Sequence, residues 1–352
     1  MENHNNIIIS GRYIGPMEPP FVIAELSGNH NGDLDRAIQL IELAAEAGVD
    51  AVKLQTYTAD TITLDHDGPE FLIPTGLWKG QRLYDLYQDA HTPWEWHAKL
   101  FARAKELGVI IFSSPFDETA IDFLEELGCP AYKIASFECI DTPLIQKCAA
   151  TKKPLIISTG LANQSEITEA VKAASEGGAN GIALLHCVSA YPAKSENFNL
   201  RTIPFLQSKY NVPIGLSDHS LGTATAVASI PLGACIIEKH MTLDRSKGGP
   251  DAAFSMEPQE FSQLVNDCRS AWQSLGEIQV GAVEAEKASK QFRRSLYVVE
   301  DINKGAEFTT ENVRSIRPGF GLPPNKSTKV LESRAARDLS KGTALTWDDI
   351  EN

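Results

Sequence analysis

Eight short apolar runs, each ending in polar residues, recur through the first three-quarters of the chain. They are Phe21–Glu25, Ala51–Gln55, Val109–Ser113, Ala131–Ala135, Pro154–Ser158, Ile182–His186, Pro213–Ser217 and Cys235–Lys239. Most are followed by a helical pattern, as in residues 34–47, where apolar residues repeat at helical spacing and Gly48 follows as a stop. Buried strands that alternate with helices indicate a parallel sheet covered on both faces. Eight such units over about 250 residues predict an α/β fold of the (β/α)8, or TIM-barrel, type.

A doubly wound open sheet is the alternative architecture, but the sequence offers no GxGxxG turn to support it. A long insertion, residues 60–92, separates the second strand from its helix. Its aromatic residues Trp78, Tyr84 and Tyr87 either cover the mouth of the barrel or simply pack on it.

The composition of the chain changes after Gly276, which indicates a second domain. We place the barrel in residues 1–281, a polar linker in 282–292 and a small domain in 293–352. The small domain contains a weak internal repeat, residues 301–309 against 338–346. The repeat predicts a β-rich module with approximate twofold symmetry, of marginal size for independent stability.

Charge, hydropathy and cysteine content narrow the functional classes. The net charge of -14 disfavours binding to nucleic acid or to an anionic membrane, although inward lysines can still attract a small anion. No apolar run reaches the roughly 18 residues that span a bilayer, and no targeting signal is evident. Six scattered cysteines without a CxxC pair are typical of reduced core residues. These features predict a cytoplasmic protein.

Functional side chains of a (β/α)8 barrel gather at the carboxyl ends of its strands. Lys53 and Gln55 share parity on the second strand, so both face the interior, and Lys133 raises the same expectation on the fourth. A buried lysine needs an anionic partner, which is either an internal carboxylate, Glu25 or Glu238, or a bound ligand. Two inward lysines favour a ligand with phosphate and carboxylate groups. Its hydroxyl donors would be Ser114, Ser136, Ser158 and Ser217.

His219 and His240 follow adjacent strands of the predicted barrel. Two neutral imidazoles suit one divalent metal, with water and a substrate oxygen in the open positions. The alternative is a pair of hydrogen-bonded polar side chains, and His30 and His186 remain rival ligands. Asp251 ends the turn formed by residues 248–251, where ordinary turn chemistry is the competing explanation.

Several segments together resemble the sialic acid synthases over nearly the whole chain. They are Glu25–Asn31, Lys53–Thr58, Thr92–His97, Ser114–Asp117, Lys133–Glu138, Gly215–His219 and Glu238–His240. Residues 317–323, RPGFGLP, resemble the SAF, or antifreeze-like, domain. Within the family, residues 53–58, 83–87 and 131–138 resemble the branch that makes pseudaminic acid. Ser189 departs from the N-acetylneuraminate synthases, which usually carry Asn at this place.

The resemblance implies a transferase that condenses phosphoenolpyruvate with an amino-sugar aldehyde and water, releases phosphate by C–O cleavage, and uses Mn2+ or Mg2+. Glu25, with Glu138 second, would activate the water. His219 and His240 would hold the metal. The phosphoenolpyruvate site would consist of Lys53, Ser114, Lys133, Ser136, Ser158, Ser189 and Ser217. The sugar site would consist of Gln55, Tyr191, Asp251 and Arg317.

The resemblance also implies a domain-swapped homodimer in which the SAF domain of one chain covers the barrel mouth of the other. Arg317 would then reach the sugar site of the partner. Three alternatives remain at this point. They are the same reaction on N-acetylmannosamine or on a legionaminic acid precursor, a Schiff-base aldolase that uses Lys133, and a non-catalytic sugar- or ice-binding protein. The third is disfavoured because the histidines, lysines and serines are all present.

Overall fold

A computed structural model describes residues 6–351 of the protein, which divide into two compact units between Gly276 and Glu277. The strands of the first unit are β1 (Ile7–Ile9), β2 (Arg12–Ile14), β3 (Phe21–Glu25), β4 (Ala51–Thr56), β5 (Ile110–Pro115), β6 (Tyr132–Ile134), β7 (Leu155–Ser158), β8 (Ile182–Cys187), β9 (Ile214–Ser217) and β10 (Ala234–His240). Strands β3 to β10 are parallel and close into a barrel, in which β10 pairs with β3. The closed barrel confirms the predicted fold and excludes the open sheet.

The helices of the first unit are α1 (Leu34–Glu46), α2 (Ala59–Ile62), α3 (Leu83–Ala90), α4 (Trp94–Leu107), α5 (Glu118–Glu126), α6 (Thr142–Ala150), α7 (Gln164–Gly177), α8 (Thr202–Tyr210), α9 (Ala224–Ser229) and α10 (Pro258–Leu275). Helix α1 shows how they form. The Asp33 side chain caps its first turn, and an apolar stripe that includes Leu40 and Ile41 is buried in the core. No helix within residues 6–351 is long and apolar enough to cross a membrane.

The hairpin of β1 and β2 covers the amino-terminal end of the barrel. Ile7, Ile9 and Ile14 are buried in the same core as the barrel strands. Arg12 donates a hydrogen bond of 3.0 Å to Asp50, which directly precedes β4. This closure leaves the carboxyl ends of the strands as the open end of the barrel. All six cysteines are buried and free, as the composition predicted.

The second unit has a small core of its own. Its elements are β11 (Ser295–Val298), β12 (Val313–Ile316) and helix α11 (Ser327–Leu331), and β11 pairs antiparallel with β12. Ile302 and Leu339 exchange two backbone hydrogen bonds of 2.8 Å across the centre of the repeat. The side chains of Asp301 and Asp338 each accept a bond of 2.7 Å from a backbone N–H of the other half. These reciprocal bonds confirm the predicted twofold arrangement.

A buried ion pair lies on the side of the barrel strands that faces away from the barrel interior. Lys239 has the opposite parity to Glu238 and His240, so its side chain points away from the barrel interior. Its Nζ lies 2.8 Å from Asp218 Oδ2 and donates to the Ser220 carbonyl at 2.7 Å. Both charged side chains are almost completely buried. The lysine and aspartate of this conspicuous sequence segment therefore stabilise the fold and do not reach the open end.

Replacement of Lys239 by methionine should destabilise the barrel by about 3–5 kcal/mol, because the Asp218 carboxylate would remain buried without a partner. Adding Asp218→Asn should recover much of that loss, since no charge then remains buried. Denaturant unfolding measures both. Lys172→Met, which removes an exposed pair with Glu176, is the matched control and should change stability by less than about 1 kcal/mol. Equal effects of Lys239→Met and the control would contradict the role assigned to the buried pair.

Candidate active site

A cavity of about 510 Å³ opens at the carboxyl ends of the barrel strands. Its position is the one at which (β/α)8 enzymes carry their active sites. Strand register brings the polar residues together, because Glu25 lies beside Lys53 and Gln55 lies beside Ser114 on neighbouring strands. Eleven of the residues predicted from the sequence line the cavity. They are Lys53, Gln55, Lys133, Ser136, Glu138, Ser158, Tyr191, Ser217, His219, His240 and Asp251.

Lys53 forms the centre of a buried polar network at the floor of the cavity. Its Nζ lies 2.5 Å from Glu25 Oε2 and 3.7 Å from Glu238 Oε1, and it donates to Ser114 Oγ at 3.3 Å. The other Glu25 oxygen accepts a bond of 3.0 Å from the Gln55 amide. Burial alone would lower the pKa of Lys53, but Glu238 and Glu25 raise it above its usual value. The ammonium is therefore kept charged, and the ion-pair alternative considered from the sequence is present.

Glu238 connects the two inward lysines. Its Oε1 lies 3.7 Å from Lys133 Nζ, the same distance as from Lys53, and accepts a bond of 3.1 Å from Ser217. Although burial opposes ionisation, Lys133 and Lys53 hold the pKa of Glu238 well below its usual range. Lys133 also donates to Ser158 Oγ at 2.7 Å. Burial lowers the pKa of Lys133 although the Glu238 carboxylate lies beside it. The floor thus presents cations and hydroxyl groups together, which is the donor set that phosphate and carboxylate ligands use.

His219 and His240 stand side by side in the wall of the cavity, with ring centroids 5.3 Å apart. His219 Nδ1 lies 3.0 Å from the Val188 carbonyl, an acceptor, so Nδ1 carries the hydrogen and Nε2 is the nitrogen that can bind a metal when the ring is neutral. Burial lowers the pKa of His219, but Cys187 and the Val188 carbonyl raise it above its usual value. His240 Nδ1 is buried without a hydrogen-bond partner among the described residues and lies 3.5 Å from Asp251 Oδ2. His240 also holds the pKa of Asp251 below its usual value against the effect of burial.

These two imidazoles fit a divalent cation with open positions. An orphaned ring nitrogen and a fixed tautomer are what a nitrogen-liganded metal requires. Within residues 6–351, no three His, Cys, Asp or Glu side chains cluster as a complete metal site, so water and substrate would fill the remaining positions. The rivals His30 and His186 do not line the cavity. His186 contacts the Phe198 carbonyl, and burial lowers the pKa of His30 to about 4.

Glu138 follows β6, which stands opposite β10 in the order of the barrel strands. Burial raises its pKa to about 7, and one of its carboxylate oxygens is buried without a hydrogen-bond partner within residues 6–351. A carboxyl group with a pKa near neutrality can both accept and return a proton.

Gly160 allows a close approach of two predicted serines. A Cβ at this position would lie 2.4 Å from Ser189 Oγ and 2.7 Å from Ser136 Oγ.

The insertion between β4 and α4 forms one side of the cavity. Trp78 and Tyr87 line it, whereas the Tyr84 hydroxyl bonds to Asp60, so two of the three aromatic residues cover the mouth. Trp78 donates from Nε1 to the Pro250 carbonyl at 2.8 Å, and its ring lies 5.6 Å from that of Tyr191. Tyr191 in turn packs 4.5 Å from His219 between ring centroids. Aromatic contacts therefore link the insertion to the imidazole pair.

Three predicted site residues lie beside or below the cavity, and one lies elsewhere. Glu25 and Ser114 bond to Lys53 from beneath it, and Ser189 flanks Gly160. Arg317 is exposed in the second unit. Sequence reasoning treated Glu238 only as a possible partner of a lysine, although it shares parity with His240 and lines the cavity. It also did not single out the aliphatic residues of the insertion, although Leu83, Leu86 and Ala90 are spaced as one face of a helix.

Comparison with known proteins identifies the family. Residues 40–280 match the NeuB family, and residues 293–351 match the SAF domain. This chain belongs to the NeuB family. The chain is 43% identical over 330 residues to a pseudaminic acid synthase of Campylobacter jejuni, covering 94% of this chain and 96% of that protein. It is also 43% identical over 337 residues to the pseudaminic acid synthase of Helicobacter pylori, covering 95% and 99%.

A solved structure agrees with this family membership. The N-acetylneuraminic acid synthetase of Leptospira borgpetersenii superimposes with a TM-score of 0.72 at 33% sequence identity. The alignment covers 81% of this chain and 95% of that chain. The family predicted from the sequence motifs of this NeuB-family chain is therefore confirmed, together with its barrel and SAF domain.

Proposed function

We propose that the cavity condenses phosphoenolpyruvate with 2,4-diacetamido-2,4,6-trideoxy-β-L-altropyranose, in its open-chain aldehyde form, and with water to give pseudaminic acid and phosphate. The observation that carries this proposal is one cavity that combines a lysine- and serine-lined floor with a pair of ligand-competent imidazoles. The floor suits a small ligand that bears both phosphate and carboxylate. The similarity to two pseudaminic acid synthases over nearly the whole chain favours this sugar.

The lysines position phosphoenolpyruvate in this proposal. Lys53 and Lys133 lie on either side of Glu238 and provide the cationic contacts for its phosphate and carboxylate. The hydroxyl contacts come from Ser114, Ser136, Ser158, Ser189 and Ser217. The protein as a whole carries a net charge of -14, but the field at the floor is set by nearby groups in a water-poor cavity.

The sugar lies above phosphoenolpyruvate, with its aldehyde towards the histidines. His219 and His240 would hold Mn2+ or Mg2+, which when bound polarises the aldehyde oxygen. C3 of phosphoenolpyruvate attacks the aldehyde carbon, water adds at C2, and phosphate leaves as the C2–O bond breaks. Glu25, fixed by Lys53 and Gln55, orients and deprotonates the water, and Glu138 is the second candidate. Gln55, Tyr191 and Asp251 contact the sugar.

The purified enzyme should release phosphate from phosphoenolpyruvate when supplied with Mn2+ and the diacetamido-trideoxy-altrose, because that sugar offers the required aldehyde. N-acetylmannosamine and the legionaminic acid precursor should support little release. Activity with one of those sugars instead would assign the chain to another substrate branch of the family. Borohydride trapping of pyruvate on Lys133, without any metal requirement, would indicate a Schiff-base aldolase and contradict the proposal.

Replacement of His219 by alanine should abolish metal-dependent turnover, because a single imidazole would remain to bind the cation. Chelation of the wild-type enzyme should have the same effect, and added Mn2+ should restore only the wild type. Mn2+ binding, followed by electron paramagnetic resonance without substrate, gives a second readout. His66→Ala, on the exposed part of the insertion, is the control and should bind Mn2+ normally. Full activity of chelated His219→Ala enzyme would refute the metal assignment.

We also propose that two chains form a domain-swapped homodimer, with each SAF domain completing the site of its partner through Arg317. Apolar residues Phe137, Leu161 and Leu221 are exposed on loops at the open end of the barrel. Phe320 is 68% exposed in the SAF domain, near Arg317. Such exposed apolar groups are typical of interaction surfaces. The same substrates, and reduced buried cysteines, favour a cytoplasmic location.

Complementation between two inactive variants tests the dimer. His219→Ala and Arg317→Ala should each be inactive alone, but mixed dimers formed by joint refolding contain one site with both residues intact. A one-to-one mixture should therefore recover about a quarter of the wild-type activity, because half of the dimers are mixed and each has one working site. Sedimentation should show dimers throughout. A mixture that stays inactive while mixed dimers form would place Arg317 in the site of its own chain.

A further inference from the structure

The cavity has two chemically different sides. Its floor carries the charged and hydroxyl groups described above, whereas one wall consists of aliphatic side chains from the insertion. We call this surface the insertion wall, and it is formed by Ile62, Ile73, Leu83, Leu86 and Ala90. None of these side chains can donate or accept a hydrogen bond. The mechanism proposed above makes no use of them.

The insertion wall is held in place by polar contacts on the insertion itself. Ile73 donates its backbone N–H to the Gln81 carbonyl and accepts from Gly80, both at 2.9 Å. Arg82 forms ion pairs with three aspartates at 2.6–2.8 Å, and Trp78 bonds to Pro250. Each of the five wall residues is partly buried. These contacts hold the apolar side chains together as one surface of the cavity.

An aliphatic wall distinguishes sugars by their oxygen content. A hydroxyl group placed against it loses hydrogen bonds to water and gains none from the protein, which is unfavourable. A methyl group placed there gains from burial. The proposed sugar is a 6-deoxy compound with an additional acetamido group, so it presents methyl groups where common hexosamines present hydroxyls. The chemistry of the wall matches the deoxygenated, N-acylated end of such a sugar.

We infer that the insertion wall is the specificity-determining surface that receives the C6 methyl group and the C4 acetamido methyl of the sugar. The inference rests on the proposed function, since it assumes that the aldehyde end lies at the floor beside the histidines. Within that arrangement the opposite end of an open-chain hexose reaches the insertion. The wall therefore selects deoxy sugars, while Lys53, Lys133 and the serines bind phosphoenolpyruvate in the same way for any sugar.

The test compares two sugars that differ by one oxygen, the diacetamido-trideoxy-altrose and its 6-hydroxy analogue. Wild-type enzyme should prefer the deoxy sugar by about tenfold or more in kcat/KM. Leu86→Asn, which has similar size but a polar end, should reduce this preference by about tenfold, mainly through KM for the sugar. The KM for phosphoenolpyruvate should not change. Ile73→Thr, a smaller alteration, should reduce the preference in the same direction.

Two controls complete the experiment. Leu64→Asn introduces the same change at a residue of the insertion that is 63% exposed and outside the cavity, so its preference should equal that of the wild type. Leu86→Met keeps the wall apolar and should also retain the preference. An unchanged preference in Leu86→Asn and Ile73→Thr would overturn the inference and leave the proposed function intact. No phosphate release by wild-type enzyme with the deoxy sugar would refute the proposed function itself.

Discussion

The contact of Glu238 with both Lys53 and Lys133 is the interaction on which the active-site architecture depends. Two ammonium groups buried in one cavity would repel each other without an anion between them, and each would be costly to desolvate. The Glu238 carboxylate lies 3.7 Å from the ammonium group of each lysine, so one anion offsets the repulsion between the two cations.

Strand parity separates the cavity-lining residues of β10 from the residue that stabilises the fold. Glu238 and His240 face the cavity, whereas Lys239 between them faces outwards and pairs with Asp218. The same alternation puts both Lys53 and Gln55 at the floor. A strand end can therefore carry three consecutive polar residues without mixing the two roles. One side of the strand lines the cavity, and the other binds Asp218 and Ser220 on either side of His219.

The barrel was predictable because its strands are continuous apolar runs and its helices have a regular apolar stripe. All eight barrel strands begin and end within two residues of the predicted runs. Lys53, Gln55 and His240 were also predictable, since parity and position at a strand end suffice. The sequence also named Glu25 and Glu238 as possible partners of the lysines, but it did not show that Lys53 contacts both, because the two carboxylates become neighbours only through closure of β3 on β10. In the insertion wall, Leu83, Leu86 and Ala90 follow a helical period, but Ile62 and Ile73 join them only in the folded chain.

Closure of β10 on β3 also has a consequence for synthesis on the ribosome. The two strands end at Glu25 and His240, so the first barrel strand emerges long before its last neighbour. At about 5–20 residues per second, the interval is roughly ten to forty seconds. During that time one edge of β3 has no permanent partner, and the apolar runs beside it stay exposed. We therefore expect chaperones that bind unpaired strands to bind the growing chain until residue 240 has left the exit tunnel.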